Sequence, residues 1–316
     1  MILTLTPSPS LDLNYELPHL DLGNLNRTAK GTFVAGGKGL NVSRILSKMK
    51  VSTKAIVPIR RDQVELFLNS THMSGRSVEV VNVAGSIRFN VSILHDGETT
   101  KINAETPGWS EKESTEIIQV FKTKSRRSSF SVIGGALPAG TPTEWLRQLV
   151  LDTRNRTRVV VDCSGDALRA AVRAKPFLIK PNLHEAEELL EFSIDTPVEI
   201  RKACESIIKM GVSNVLLSLG AKGSVFYDGQ TFWQGSPKKI DVVNTVGAGD
   251  ALLAGFLGAY KTSPSMALAN GMAWSEAAII SQGTDVSADS VQQDLSRVKV
   301  VPNGNFNFES TEVGQL

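Results

Sequence analysis

The stretch Asn244-Thr245-Val246-Gly247-Ala248-Gly249-Asp250 places two glycines and a carboxylate directly before an apolar segment. Glycines in such a turn let backbone N–H groups approach an anion at the N-terminus of a helix. Asp250 could accept a proton from a substrate hydroxyl, while Gly247, Ala248 and Gly249 stabilise charge on a phosphoryl group in transfer. The alternative is a purely structural cap, because Asp is favoured in the first turn of any helix.

A second glycine-rich segment, Ala35-Gly36-Gly37-Lys38-Gly39-Leu40-Asn41, precedes residues whose apolar positions have nearly helical spacing. It predicts another helix that begins at a backbone-lined anion site, here with a lysine in it. The segment is not a Walker A loop, because Lys38 is followed by Gly39 rather than by Ser or Thr. No strand leads into a G-x-G-x-x-G pattern either, which argues against a nicotinamide-dependent enzyme.

Asn182 and Glu185 are three residues apart and share one face of the first turn of a predicted helix. A capping box would explain this spacing, with Asn182 as the N-cap and Glu185 reaching back to it. The alternative is that Glu185 helps to hold hydrated Mg²⁺, which needs few protein carboxylates. Farther along, the segment 218–223 follows a buried strand, and it is either a simple turn or a slot for a flat base.

The elements that must position these residues alternate between helix and strand from about Glu111 onward. This order predicts a mostly parallel sheet with helices on both faces. Ligands of such sheets bind outside the carboxyl ends of the strands. The polar residues that follow predicted strands include Asp162, Lys180 and Ser218, so we expect the site at that edge.

Two strand-rich patches lie outside this pattern. Leu11 to Leu17 and Ile87 to Leu94 both alternate apolar and polar residues, and Asp96-Gly97 predicts a hairpin after the second. Each strand therefore has a polar face, which includes Asp12, Asn14, Arg88 and Asn90. Such a face is either solvated or lies over a ligand. We predict a β lid of residues 11–35 and 86–105 over a core of residues 1–10, 36–85 and 106–316.

The composition is that of a globular protein with one sizeable core. The 316 residues are 41% hydrophobic and 21% charged, with a formal net charge of +2. This balance does not indicate a nucleic-acid-binding protein, and the basic run from Arg154 to Arg158 is expected on a solvated face. Cys163 and Cys204 lack metal-ligand spacing. We find neither a signal-peptide pattern nor a membrane span, and we expect a cytoplasmic protein.

The two glycine segments, together with Lys180-Pro181-Asn182-Leu183-His184-Glu185, resemble signatures of the PfkB (ribokinase-like) carbohydrate kinases. Asn24-x-Asn26-Arg27 and Gly36-Gly37-Lys38-Gly39 are similar to the branch of 1-phosphofructokinases and tagatose-6-phosphate kinases. The resemblance covers essentially the whole chain and implies an α/β fold, with a three-layer α/β/α core, a mostly parallel sheet and a small discontinuous β-sheet lid. It further implies ATP, Mg²⁺ and a homodimer formed through lid strands, which would cover exposed strand edges.

The resemblance also implies roles for individual residues. Asp250 is the expected base, beside an anion hole at Gly247, Ala248 and Gly249. The expected substrate-binding residues are Asp12, Asn14, Arg27, Gly37, Lys38, Asn41, Arg88 and Asn90. The expected nucleotide-binding residues are Lys180, Asn182, Ser218, Gly220, Ala221, Gly223 and Asn270. Glu185 is the expected metal ligand.

The substrate class follows from cations that could hold a phosphate at the far end of a sugar. Arg27, Lys38 and Arg88 are the candidates. Gly134-Gly135-Ala136-Leu137-Pro138 stands where relatives commonly have Ser-Gly-Ser before Leu-Pro, so two hydroxyls are missing near the sugar. We hypothesise a kinase that makes a ketohexose 1,6-bisphosphate, from fructose 1-phosphate or from tagatose 6-phosphate, and we favour the former. A non-catalytic sensor is the alternative, and the intact Asp250 argues against it.

Overall fold

The computed structural model describes residues 1–236, 246–280, 286, 291 and 298–302. Asn244 and Thr245, the first two residues of the glycine motif that precedes Asp250, lie outside these ranges, as does the polar tail after Pro302. Within the described ranges, no helix is both long and apolar enough to cross a membrane.

The strands and helices alternate along most of the chain. The strands are β1 (Ile2–Leu5), β2 (Ser10–Glu16), β3 (Gly31–Gly36), β4 (Thr53–Ile59), β5 (Val78–Asn82), β6 (Arg88–His95), β7 (Glu98–Asn103), β8 (Phe130–Gly134), β9 (Arg158–Asp162), β10 (Leu178–Ile179), β11 (Asn214–Ser218), β12 (Ser224–Tyr227), β13 (Phe232–Ser236) and β14 (Lys299–Pro302). The helices are α1 (Lys38–Lys48), α2 (Val64–Asn69), α3 (Glu111–Ser125), α4 (Thr143–Thr153), α5 (Gly165–Arg173), α6 (Leu183–Leu190), α7 (Pro197–Lys209), α8 (Ala248–Ala259) and α9 (Pro264–Ile280).

The larger sheet confirms the predicted α/β class. Its strand order is β14-β13-β12-β11-β10-β9-β8-β1-β4-β5. The run from β5 to β11 is parallel, whereas β12, β13 and β14 are antiparallel. Strands such as β1 and β8 are buried along their whole length, as expected for strands covered on both faces.

Two apolar clusters, one on each face of this sheet, make three layers. One cluster joins α3, α4, α5, α6 and α7 to the sheet through residues such as Phe121, Leu149 and Ile207. The other joins α1, α8 and α9 through residues such as Leu46, Phe256 and Met272. The predicted three-layer core is therefore confirmed, and α1 and α8 lie side by side on one face of the sheet.

The smaller sheet has the strand order β3-β2-β6-β7, with β2 parallel to β6. Its register aligns Phe33, Leu13, Val91 and Ile102 in one row across all four strands. The neighbouring row is Val34, Asp12, Asn90 and Asn103. Because successive residues of a strand point to opposite faces, the sheet has one apolar face and one face with polar groups in the middle. The residue bounds given above for lid and core stay a prediction.

Some local elements differ from expectation. Strand β5 was not predicted, because its five residues are bounded by polar turns and give little periodicity. The strand expected at 177–180 is reduced to Leu178–Ile179, since Pro181 follows closely and has no N–H to pair. The helix expected from Asp62 to Ser70 begins instead as a 3₁₀ turn, Arg61–Gln63.

Candidate active site

The turn before α8 has the backbone that the sequence predicts. Gly247 is the N-cap, with φ 82°, a left-handed conformation that glycine adopts without steric cost. Asp250 lies in the first turn of α8 and is buried. Its carboxylate accepts a hydrogen bond of 2.8 Å from Asn41 Nδ2 on α1. The bond therefore reaches another helix, and a cap within α8 does not account for it.

Asn41 is itself fixed from behind. Its Oδ1 accepts a hydrogen bond of 2.9 Å from Arg44, whose guanidinium is buried and also donates to the carbonyl oxygens of Thr71 and Ala35. This arrangement orients the Asn41 amide so that its N–H group faces Asp250. Arg44 was not among the predicted residues, because an arginine in the second turn of a helix gives no sequence sign that it is buried.

A cluster of charged groups surrounds Asp250 at the carboxyl edge of the large sheet. Asp162 ends β9, and Lys180 follows β10. Asp162 accepts a hydrogen bond of 2.9 Å from Lys38 and lies 3.3 Å from Lys180 Nζ. Lys38 Nζ also lies 3.8 Å from Glu185. Asp162 belongs to the cluster by geometry, although the sequence singled it out only as a polar residue after a strand.

These charges set the protonation of the two buried aspartates in opposite directions. Burial, and then the negative charge of Asp162, raises the pKa of Asp250 to about 6. Burial would also raise the pKa of Asp162, but Lys180 and Lys38 hold it below its usual range. Asp162 therefore stays ionised, while Asp250 exchanges its proton close to neutral pH, as a general base must.

Lys180 adds a positive charge next to the turn before α8. A Cβ built on Gly249 would lie 3.2 Å from Lys180 Nζ. The ammonium group of Lys180 therefore lies beside Gly249, at the start of α8. Gly247, Ala248 and Gly249 are each partly exposed. An anion at this turn would meet both backbone donors and a lysine, as in an oxyanion hole.

The predicted capping box is present at the start of α6. Asn182 Oδ1 accepts from the Glu185 N–H at 2.8 Å, and Glu185 Oε2 accepts from the Asn182 N–H at 2.9 Å. Glu185 Oε1 is left facing Lys38. In the described part of the chain, no three His, Cys, Asp or Glu residues form a metal-binding group. Glu185 Oε1 lies 3.8 Å from Lys38 Nζ and accepts no hydrogen bond within the capping box, and it still fits Mg²⁺, which keeps most of its water and is held largely by phosphates.

The predicted substrate-binding part of the site centres on Asp12. Its carboxylate accepts hydrogen bonds of 2.8 Å from Ser10 Oγ and from Asn90 Nδ2. A Cβ on Gly36 would lie 2.1 Å from Asp12 Oδ2, so only glycine leaves room for this carboxylate. Asn14 is one polar position farther along β2, where it is exposed and donates to Thr32.

Arg88 lies where the chain enters and leaves the small sheet. Its guanidinium donates to the carbonyl oxygens of Ala104 at 3.3 Å and Ser8 at 3.4 Å. Within the described residues, several buried polar atoms around it have no hydrogen-bond partner. They are Arg88 Nε, Ser8 Oγ, Asn90 Oδ1 and Thr106 Oγ1. Ser8 and Thr106 were not predicted, and single hydroxyl residues in loops carry no pattern that would reveal them.

The other predicted residues occupy four separate places. Arg27 is exposed in the loop that follows β2. Arg88 pairs with Ser10 at the start of β2, whereas Arg27 lies beyond the other end of that strand, so the structure does not bring Arg27 to Arg88. Ser218 bridges to Asn182, and Gly220, Ala221 and Gly223 form the turn that follows it. Asn270 lies on α9, and its backbone carbonyl contacts α8. Gly37 is the N-cap of α1, with φ 127°.

Packing explains the glycine at 134, where β8 ends. A Cβ there would lie 3.1 Å from both Gly39 N and Lys38 Cβ. A serine at 134 would lie unusually close to the start of α1, which would have to shift by a few tenths of an ångström. Thr106 lies beside the loop that follows β8, because its carbonyl oxygen accepts a hydrogen bond of 3.0 Å from the Ala139 N–H.

Comparison with known proteins gives one consistent result. A 1-phosphofructokinase of Borreliella burgdorferi is 30% identical over 267 residues, which are 84% of this chain and 87% of that protein. The crystal structure of Escherichia coli phosphofructokinase-2 in complex with substrates and products has a TM-score of 0.86 at 28% identity, over 94% of this chain and 98% of that one. The complex of the same enzyme with fructose-6-phosphate gives 0.85 at 27% identity, with the same coverage. The model of the pfkB family carbohydrate kinases matches residues 10–292, and the chain belongs to this family of carbohydrate kinases.

Proposed function

We propose that this kinase phosphorylates a ketohexose monophosphate to the 1,6-bisphosphate with ATP and Mg²⁺, and that its substrate is fructose 1-phosphate. The family uses ATP as phosphate donor. The observation that carries the proposal is the buried Asp250, hydrogen-bonded to Asn41 beside a glycine turn covered by Lys180. The relative that the chain matches over 87% of that protein's length is a 1-phosphofructokinase, which supports this substrate. We also propose that the protein is located in the cytoplasm.

The proposed reaction places one role on each group. Asp250 accepts the proton of the substrate CH₂OH. The hydroxyl oxygen of the substrate bonds to the γ-phosphorus of ATP as the bond from that phosphorus to ADP breaks. The N–H groups of Gly247 to Gly249 and the ammonium of Lys180 stabilise the charge on the phosphoryl oxygens. Lys38 lies on the other side of Asp162 and adds a second cation near the transfer. Glu185 would hold Mg²⁺, which neutralises phosphate charge when it is bound.

We place the phosphate that the substrate already carries at Arg88. A guanidinium N–H and two hydroxyls without partners are the donors that a phosphate dianion requires, and Asn90 Oδ1 remains to accept from a sugar hydroxyl. Ser8 and Thr106 would thus supply hydroxyls that the Gly134-Gly135-Ala136 loop lacks. A free sugar would leave these groups unpaired, which costs about 1–3 kcal/mol for each buried group.

The substrate is tested by specificity constants. We expect kcat/KM for fructose 1-phosphate to exceed the values for tagatose 6-phosphate and fructose 6-phosphate, measured in an assay coupled to ADP formation. Thr106→Val should raise KM for the phosphosugar about tenfold, as expected for a lost hydrogen bond to a charged group, and leave KM for ATP unchanged. An equal rise in both KM values would place Thr106 elsewhere than at the distal phosphate.

The kinase is distinguished from the sensor by Asp250→Asn. A lost general base should lower kcat by about 10²–10⁴-fold while phosphosugar binding persists in calorimetry. Asp166→Asn is the matched control, since the Asp166 side chain is 89% exposed on α5. Binding without turnover by the unmodified protein would favour the sensor.

We also propose that the protein is a homodimer that pairs through the small sheet. Ile102 is 61% exposed and Phe89 42% exposed, on the apolar face described above. The rings of Phe33 and Phe89 stack on that face, with centroids 6.5 Å apart. An apolar sheet face of this kind is a typical interface, since water contact with it is unfavourable.

A further inference from the structure

A concave surface lies at the edge of the large sheet opposite to Asp250. It is a cavity of about 490 Å³, formed where β8, β9, β10 and β11 begin. The catalytic groups follow the carboxyl ends of these strands, whereas this cavity precedes their amino ends. It is therefore a separate place from the site of phosphoryl transfer. The cavity is large enough for a small metabolite.

The lining of this cavity is basic. Its charged residues are Arg154, Arg156, Arg158 and Lys175. Its hydroxyl groups come from Ser128, Ser129, Thr157 and Ser213. No carboxylate lines it, and within the described residues none of the four cations forms an ion pair with Asp or Glu. A chain with a net charge of only +2 thus gathers four positive side chains in one cavity.

Ordinary structural roles account for only part of this charge. Arg154 donates to the Ala174 carbonyl at 2.9 Å, which satisfies the end of α5. Asp152 attracts Arg156 at longer range, but its two oxygens already accept from Lys122 and Gln148 at 2.7 Å each. Arg156 and Lys175 are left exposed, with no acidic partner within the described ranges.

Two of the cations are also held in place. The Arg158 guanidinium lies over the rings of Phe130, Phe177 and Tyr260, at 5.5, 5.3 and 5.6 Å from their centroids. Lys175 has φ 55°, and its methylene groups pack where a Cβ on Gly211 would lie, 2.7 Å from Lys175 Cδ. Stacked arginine and a packed lysine stem lose little freedom when they bind an anion.

We propose that this cavity binds a small anion that carries two or more phosphate groups. Arginine guanidinium groups match phosphate oxygens in pairs, and lysine adds a point charge. Ser128 and Ser129 already donate to the carbonyl oxygens of Ser125 and Met1, so the hydroxyls of Thr157 and Ser213 are the ones that donate to the remaining oxygens. The site goes beyond the kinase reaction, since none of its residues contacts the catalytic cluster.

The test uses inorganic pyrophosphate and the full-length protein. Calorimetric titration at constant ionic strength should show a binding event that Arg156→Ala with Lys175→Ala weakens at least about tenfold, the scale of lost charge-assisted hydrogen bonds. Arg61→Ala with Arg76→Ala removes two exposed cations elsewhere and should leave it unchanged. Unchanged kcat/KM in both double variants shows that they are folded with an intact active site.

A second measurement locates the anion. Pyrophosphate should protect Arg156 and Arg158 of the unmodified protein from an arginine-specific dicarbonyl reagent, as read by mass spectrometry. Sodium chloride at equal ionic strength should not. Equal pyrophosphate affinity in all three proteins, or equal protection by chloride, would overturn the proposal and leave only a solvated basic surface.

Discussion

The side chain of Asp250 combines two requirements that oppose each other. As the proposed general base, it must lie out of bulk water, yet burial makes its ionised form costly. The hydrogen bond from Asn41 and the two lysines near Asp162 offset part of that cost. The outcome is a carboxylic acid with a pKa of about 6, high for aspartate but low enough for ionisation at pH 7.

The pH dependence of the reaction follows from this pKa. Since the base must be ionised, kcat/KM should be constant above pH 7 and fall about tenfold per pH unit well below pH 6. Asn41→Ala removes a donor that favours the ionised form, so the midpoint should move to higher pH. The midpoint is the readout, because Asn41 is also a predicted sugar ligand and the rate itself will drop. A midpoint that stays in place would contradict this role.

Lys180 should matter for stability as well as for catalysis. Its side chain is 4% exposed and that of Asp162 is 1% exposed. Lys180→Met leaves Asp162 with Lys38 alone, and loss of a buried partner costs about 3 kcal/mol. Lys122→Met is the control, because its pair with Asp152 is more exposed and is worth about 0–1 kcal/mol. Urea denaturation measures both, and equal losses would show that the buried pair is not special.

The site residues that could be predicted from the sequence belong to recognisable local motifs. Gly247, Asp250 and the Asn182/Glu185 pair stand at the starts of helices, where spacing is informative. Asp162 follows a strand of three valines, and its partners come from Lys38 and Lys180, far apart in the chain. Such pairings arise from sheet order, which no local pattern contains.

Among the elements, the contact between α8 and α9 positions the catalytic turn. Gly255 on α8 faces Gly271 on α9, and a Cβ on Gly255 would lie 2.7 Å from the Asn270 carbonyl oxygen and 2.9 Å from Gly271 Cα. The helices therefore approach each other backbone to backbone. Because α8 begins at the Gly247 turn, its placement sets the distance between Asp250 and Asn41.

Gly255→Ala should push these helices apart. Overpacking of this kind costs about 1–3 kcal/mol, and we expect a lower Tm together with a lower kcat. Gly75→Ala is the matched control, since no atom lies within 4 Å of its built Cβ. Thermal unfolding and steady-state kinetics of both variants provide the measurement. An unchanged Tm for Gly255→Ala would mean that the helices can separate at no cost.

Elements with strong periodicity were predictable, and short ones were not. Residues 158–162 and 165–173 form the strand and helix that their patterns indicate. Strand β5 depends on its neighbour β4 for pairing, and its own five residues contain too little alternation to be recognised. The small sheet was predictable as strands, but its parallel pairing of β2 with β6 was not.

At the scale of the whole molecule, the small sheet should decide the oligomeric state. Ile102→Lys places a charge in the apolar row of its exposed face, so we expect the proposed dimer to dissociate in light scattering after size exclusion. Val198→Lys is the control, because Val198 is 76% exposed on α7, away from this sheet. A monomeric unmodified protein, or an Ile102→Lys variant that remains dimeric, would exclude this interface.

The parallel pairing of β2 with β6 also bears on synthesis. The hydrogen bond between Asp12 and Asn90 spans 78 residues of chain, and β3, α1, β4, α2 and β5 lie between. A two-stranded ribbon is marginally stable on its own. When β2 and β3 leave the ribosome, they therefore wait, with one edge of β2 unpaired, until β6 and β7 have been translated. We expect nascent chains that stop before residue 95 to be the species that chaperones hold.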